Sequence, residues 1–254
     1  MNRAALKKAP DDVEAAGYPA VRQAFNEVLQ ACVAKLTEAD WDLAAELLEI
    51  EGACEDERYD QLIVDTALFS RPGAPIFRAH RKRAIDRLAR KLPVKRDPLK
   101  ASLAEQLPAA FFSAFEAKEV QPDGSVFALD VLDENRPVCV MDASLAQSIT
   151  PGTLFAGRFI DVGPWHIGFG VIIPLRKSEA LALALAMSHE GDLSEKRDSL
   201  HEIVYFCHIH RSNLVTEALE PLILALSFAI DHDEGDFGDL VGQFRSALLQ
   251  PDPS

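Results

Sequence analysis

Residues 153–173 read Thr-Leu-Phe-Ala-Gly-Arg-Phe-Ile-Asp-Val-Gly-Pro-Trp-His-Ile-Gly-Phe-Gly-Val-Ile-Ile. This stretch decides the fold class. Trp165, Ile167, Phe169, Val171 and Ile173 alternate strictly with other residues, which is the period of a strand with one buried face. Gly163-Pro164 supplies a turn, so 153–162 and 165–173 form two strands joined back to back. Gly157, Gly168 and Gly170 inside these strands point to strong curvature.

Two more strands precede them. Val126–Leu132 places Phe127, Leu129 and Val131 on one face, and Asp133-Glu134-Asn135 is turn-forming. Pro137–Met141 follows. The segment 142–150 is the one longer connection and has room for a helical turn. The expected module is a four-strand antiparallel meander, a half-barrel or curled sheet, over residues 119–176. Four strands alone are marginal, so helices must cover one face.

Outside the module the period changes to helical. Val21, Phe25, Val28, Leu29, Cys32, Val33 and Leu36 form one apolar stripe. Thr37 with Asp40 three residues on resembles a shortened capping box. Apolar positions at Trp41–Leu48 and at Leu62–Leu68, the latter capped by Asp56, mark two further helices. A basic helix is expected at 74–92, and helical pattern resumes at Leu99 and continues through Phe111, Phe112 and Phe115 to about residue 118. The expected class is therefore α+β: an N-terminal helical bundle (1–118), the β-module, and a C-terminal helical region (177–254) packed on it. Within the last region, Asp192 is placed to cap a helix over 193–211, and Pro221 to kink the next.

The chain has 254 residues and a formal net charge of −14. That balance disfavours non-specific attachment of the whole molecule to nucleic acid or anionic membrane. No apolar run reaches 18 residues, so no membrane span is expected. Asp11, Asp12 and Glu14 stand where a signal peptide needs an apolar run, and the expected location is the cytoplasm. The four cysteines, Cys32, Cys54, Cys139 and Cys207, form no CxxC pair and read as buried or half-buried thiols.

Charge is distributed unevenly. Residues 71–100 carry 11 Lys and Arg against Asp86 and Asp97, a net +9, while the rest of the chain is −23. The candidate partner-binding residues are Arg78, Arg81, Lys82, Arg83, Arg87, Arg90 and Lys91. Of the functional readings for this helix, an acidic protein partner is the favoured one. Nucleic acid is the weaker one, since Phe77 is the only aromatic residue in the segment and stacking platforms are lacking. The alternative to both is that these cations are neutralised by the acidic remainder of the same chain or are solvated.

Other constellations read as structural. His201, Cys207, His208 and His210 lie on one helix, where His208 and His210 point roughly 160° apart and cannot share a metal. Asp231-His232-Asp233-Glu234-Gly235-Asp236 has a calcium-like composition but the wrong register for an EF-hand loop. In the β-module, Asp130 and Asp161 sit at strand ends, where Asp serves turns, and Asp142 and Ser144 lie at a loop. His166 alternates with the apolar row and is expected to face outward. No nucleophile elbow, phosphate loop, zinc motif or dinucleotide fingerprint is present, and no cofactor or metal is implied. The favoured function is a non-enzymatic binding or regulatory protein. The alternative is an enzyme or small-ligand binder with a pocket between the β-module and the C-terminal helices, with Arg158, His166 and His208 as its candidate residues.

Overall fold

The computed structural model describes residues 17–50, 59–72, 82–94, 96–188 and 193–219. The expectations for Asp56, Arg78, Arg81, Asp192, Pro221 and the 231–236 segment lie outside these residues.

The described residues include eight α-helices: α1 Tyr18–Val33, α2 Glu38–Leu47, α3 Asp60–Phe69, α4 Ala84–Leu88, α5 Pro98–Gln106, α6 Ala143–Ser148, α7 Lys177–Ser188 and α8 Leu193–His210. The strands are β1 Phe111–Val120, β2 Ser125–Asp130, β3 Arg136–Met141, β4 Leu154–Asp161 and β5 His166–Leu175. The protein is a mixed helix and sheet fold, as its sequence implies, but the sheet has five strands and closes into a barrel in the order β1-β2-β3-β5-β4.

This corrects the four-strand antiparallel meander in two respects. First, Phe111, Phe112 and Phe115 lie in a strand rather than in a helix. On β1 the residues Phe115 and Ala117 line the barrel, while Phe112 and Ala114 pack outside it against a second apolar cluster. A strand buried on both faces loses polar alternation, and the cue that separates strand from helix goes with it. Second, the chain does not return by a simple hairpin after β3. It crosses the barrel end through α6, so β4 pairs with β1 and β5 pairs antiparallel with β4 but parallel with β3. A parallel pair requires such a crossover.

Three apolar clusters follow from this closure. Phe115, Val126, Val138, Val140, Phe155 and Phe159 fill the barrel, with Leu145 of α6 packed among them. Outside, α1, α4 and α5 lie on Ile160, Val162, Ile167 and Phe169. On the adjoining outer surface, α7 and α8 lie on Phe112, Ala114, Ala156, Val171 and Ile173. The N-terminal helices thus share their core with the barrel and are not a separate bundle.

The glycines mark where the barrel is tightest. A Cβ on Gly157 would stand 2.8 Å from the carbonyl oxygen of Val171. Register shifts between Gly157 and Phe159, as expected of a bulge that bends the strand. Gly170 has φ +95, a backbone region that other residues rarely enter.

The expected Thr37–Asp40 cap is present: the Thr37 N–H donates to Asp40 Oδ2 at 2.8 Å. Cys32 and Cys207 are buried and Cys139 is half-buried. Burial pushes the Cys32 and Cys207 thiols up to about 11, which keeps them protonated and unreactive at neutral pH. Among the described residues no helix is long and apolar enough to cross a membrane.

Candidate functional site

The basic segment does not form one helix. Its described part consists of Lys82 and Arg83 in extended chain, the five-residue α4, and a 3-10 turn at Ala89–Lys91. Helical pattern without length gives little: α4 is barely more than one turn and is held by packing of Ala84, Ile85 and Leu88.

The cations of this segment divide by partner. Arg83 is buried. It forms an ion pair with Asp86 at 2.8 Å and donates to the Pro108 carbonyl at 2.6 Å. Arg87 Nη2 donates to both carboxylate oxygens of Asp40. Lys100 pairs with Glu27 at 2.6 Å and with Asp97 at 3.4 Å. Burial acts to raise the Asp40 carboxyl, but the Arg87 and Thr37 hydrogen bonds outweigh it and hold the group below its ordinary value. These three cations are parts of the fold, and the expectation that Arg83 and Arg87 face a partner does not fit their geometry.

Lys82, Arg90, Lys91 and Arg96 are exposed, and none has an ion pair among the described residues. Lys35, just beyond α1, donates to the Lys91 carbonyl at 3.4 Å and so brings a fifth exposed cation beside Lys91. Sequence reading missed Lys35 because it lies 56 residues away.

A second polar constellation lies under the helices. Arg158 is fully buried on the outer side of β4, flanked by Ala156 and Ile160 of the two outer clusters. Its Nε donates to Asp65 Oδ1 at 2.9 Å and Oδ2 at 3.0 Å. Asp65 projects from α3 and is itself only 3% exposed. The Tyr205 hydroxyl of α8 donates to Asp65 Oδ2 at 3.0 Å. The guanidinium lies 4.0 Å from the Phe69 ring centroid, with Phe112 at 5.9 Å. Next to this group, buried His201 and Ser70 are joined by a 3.0 Å hydrogen bond.

Burial pushes the Asp65 carboxyl above its ordinary value, although Arg158 and Tyr205 both pull it down. The Tyr205 hydroxyl is pushed well above its own ordinary value, by burial and then by the neighbouring carboxylate. Removing one member of a buried pair leaves the other uncompensated, at a cost of about 3–5 kcal/mol. The pair therefore fixes α3 and α8 to β4 at one position.

The candidate pocket residues are not brought together. Arg158 belongs to the Asp65–Tyr205 group. His208 is exposed on α8. His166 is buried and lies on the barrel side of β5, edge-on to Phe111 at 6.0 Å. The expectation that it faces outward is corrected by the barrel itself: the strict apolar row Ile167, Phe169, Val171, Ile173 packs under the helices, so the opposite row points inward. Neither His166 ring nitrogen makes a full hydrogen bond, although the Cys139 backbone lies close enough to favour the charged ring slightly. Burial dominates and lowers the His166 pKa; Asp161 opposes this and Arg136 adds to it.

The remaining polar residues do structural work. Asp142 Oδ1 caps α6 through the Ser144 and Leu145 N–H groups, both at 3.0 Å. Asp161 accepts from the Gly163 N–H at 2.9 Å, the turn role expected of it. Asp130 accepts from the Ser113 hydroxyl and from the Leu132 N–H at 3.2 Å. His210 bonds the Leu48 carbonyl at 2.8 Å.

No protein-family model matches the chain, and neither curated proteins nor solved structures match it.

Proposed function

We propose that this is a non-enzymatic binding protein that contacts an acidic protein partner through the edge formed by Lys35, Arg90 and Lys91, with Lys82 and Arg96 flanking it in sequence. One observation carries the reading. These cations are exposed and have no ion pair among the described residues of a chain of net charge −14, while Arg83, Arg87 and Lys100 of the same segment are neutralised internally. Unpaired cations on an acidic molecule favour encounter with a negative surface and set orientation more than they add affinity.

Nucleic acid is the weaker occupant. Five-stranded barrels of the OB type bind oligonucleotides on the outer face of their second and third strands. Here that face carries Phe127, Leu129, Pro137 and Cys139 and no cation; Arg136 belongs to the opposite row, with Val138 and Val140, and is paired with Asp133 at 2.8 Å. This comparison is one of architecture alone.

The test uses two fluorescent probes, a polyglutamate peptide and a single-stranded oligonucleotide, with wild type and the Lys35→Glu/Arg90→Glu/Lys91→Glu variant. The peptide should bind wild type in low salt and release as salt rises, and the variant should not bind it. Equal peptide binding by the two proteins defeats the proposal; tighter binding of the oligonucleotide replaces it with the nucleic-acid reading.

A further inference from the structure

Arg158 uses its Nε–H on Asp65, and the two terminal amino groups of its guanidinium, both buried, have no hydrogen-bond partner among the described residues. Phe69 covers a face of the group at 4.0 Å, so the donors left open lie in the guanidinium plane along the Nη1–Nη2 edge. Buried donors without an acceptor are rare in native proteins, and each one calls for a cause. An edge of two parallel amino groups is the geometry that takes the two oxygens of a carboxylate side by side.

The surroundings fit the same chemistry. Arginine stays charged, so the site keeps its cation whatever happens to Asp65. Asp65 supplies its counter-charge only on the Nε side. Phe69 and Phe112 lie against the buried guanidinium, and a low local dielectric strengthens charge-assisted hydrogen bonds. We propose that the Nη edge of Arg158 is a binding site for a small carboxylate anion, of the size of formate or acetate. An entering carboxylate would add its charge on the side of the guanidinium that Asp65 leaves open. The site is separate from the exposed cation edge and does not depend on the reading of that edge.

The test measures thermal unfolding of wild type and Arg158→Met in formate, acetate, chloride and inorganic phosphate at matched ionic strength. For a site on the folded state, wild-type Tm rises with the logarithm of formate or acetate concentration, by about 5 °C or more at a hundredfold excess over Kd. Arg158→Met should show no such rise. Chloride and phosphate should leave both proteins unchanged. Should Arg158→Met fail to fold, wild type alone carries the test through the side-chain nitrogen resonances of Arg158, which should shift saturably with formate. An equal response to every anion, or the absence of any saturable shift, overturns the proposal and leaves Arg158 a structural cation.

Discussion

The basic segment and the Arg158 group are two answers to the question of where an arginine goes. In the segment, cations are dense, and four of the eight that are described are exposed. Those that matter to the fold, Arg83 and Arg87, have found carboxylates at Asp86 and Asp40. On β4, one arginine stands alone in an apolar strand and is matched by one aspartate from α3 and one tyrosine from α8. Density of charge along the chain and importance of a charge to the fold are different quantities. Coulomb attraction between surface groups is screened, whereas a buried pair holds its partners under a desolvation penalty that makes loss of either one severe.

Four changes sharpen or break this contrast. Asp65→Ala should have the largest effect, a loss of about 3–5 kcal/mol because Arg158 stays buried without a counter-charge; thermal unfolding should show Tm lower by roughly 10 °C. Should Asp65→Ala unfold no earlier than wild type, the ion pair is not what fixes α3 to the barrel. Asp40→Ala removes both the α2 cap and the half-exposed pair with Arg87. Its expected cost, read from urea midpoints, is about 1–2 kcal/mol.

His166 should give a smaller, pH-dependent effect. Its folded pKa lies below the unfolded value near 6.5, so above that value the ring is neutral in both states and costs nothing. As pH falls below it, the unfolded chain takes up the proton first, and stability declines until the folded pKa is passed. His166→Phe should flatten that part of the stability profile, while a profile unchanged by the substitution would assign the slope to other groups. Smallest of all, Lys82→Glu, Arg90→Glu, Lys91→Glu and Arg96→Glu should each stay within about 0.5 kcal/mol of wild type in the same urea series. A larger loss at any of them would show a surface cation with a structural role.

Much of the architecture was legible in the chain. The four strands from Val126 to Ile173, the turn at Gly163-Pro164, the helical turn after Asp142 and the Thr37–Asp40 cap all arise from local chemistry, and each was readable from neighbouring residues. What escaped is what depends on distance. Phe111–Val120 has apolar side chains on both faces because it is covered on both, which erases its period. Barrel closure joins β1 to β4 and β3 to β5, pairings that no local pattern encodes. The Asp65–Arg158 pair spans 93 residues. Its signal was present all the same: a lone acid in the apolar run Leu62–Phe69 and a lone base in the apolar run Leu154–Ile160 each needed an opposite charge. Arg158 was among the candidate pocket residues but Asp65 was not, since a run of charge is conspicuous in sequence and a single buried acid is not.

The parallel seam of the barrel has a mechanical consequence. β3 meets β5 in register at Val140 and His166, whereas every other strand contact runs along several residues. A cylinder stitched this way parts first along its shortest join, and here the stitch includes an imidazole able to acquire charge. Acid would thus loosen the wall at one defined line, and amide exchange should quicken there before it does in the long hairpin opposite.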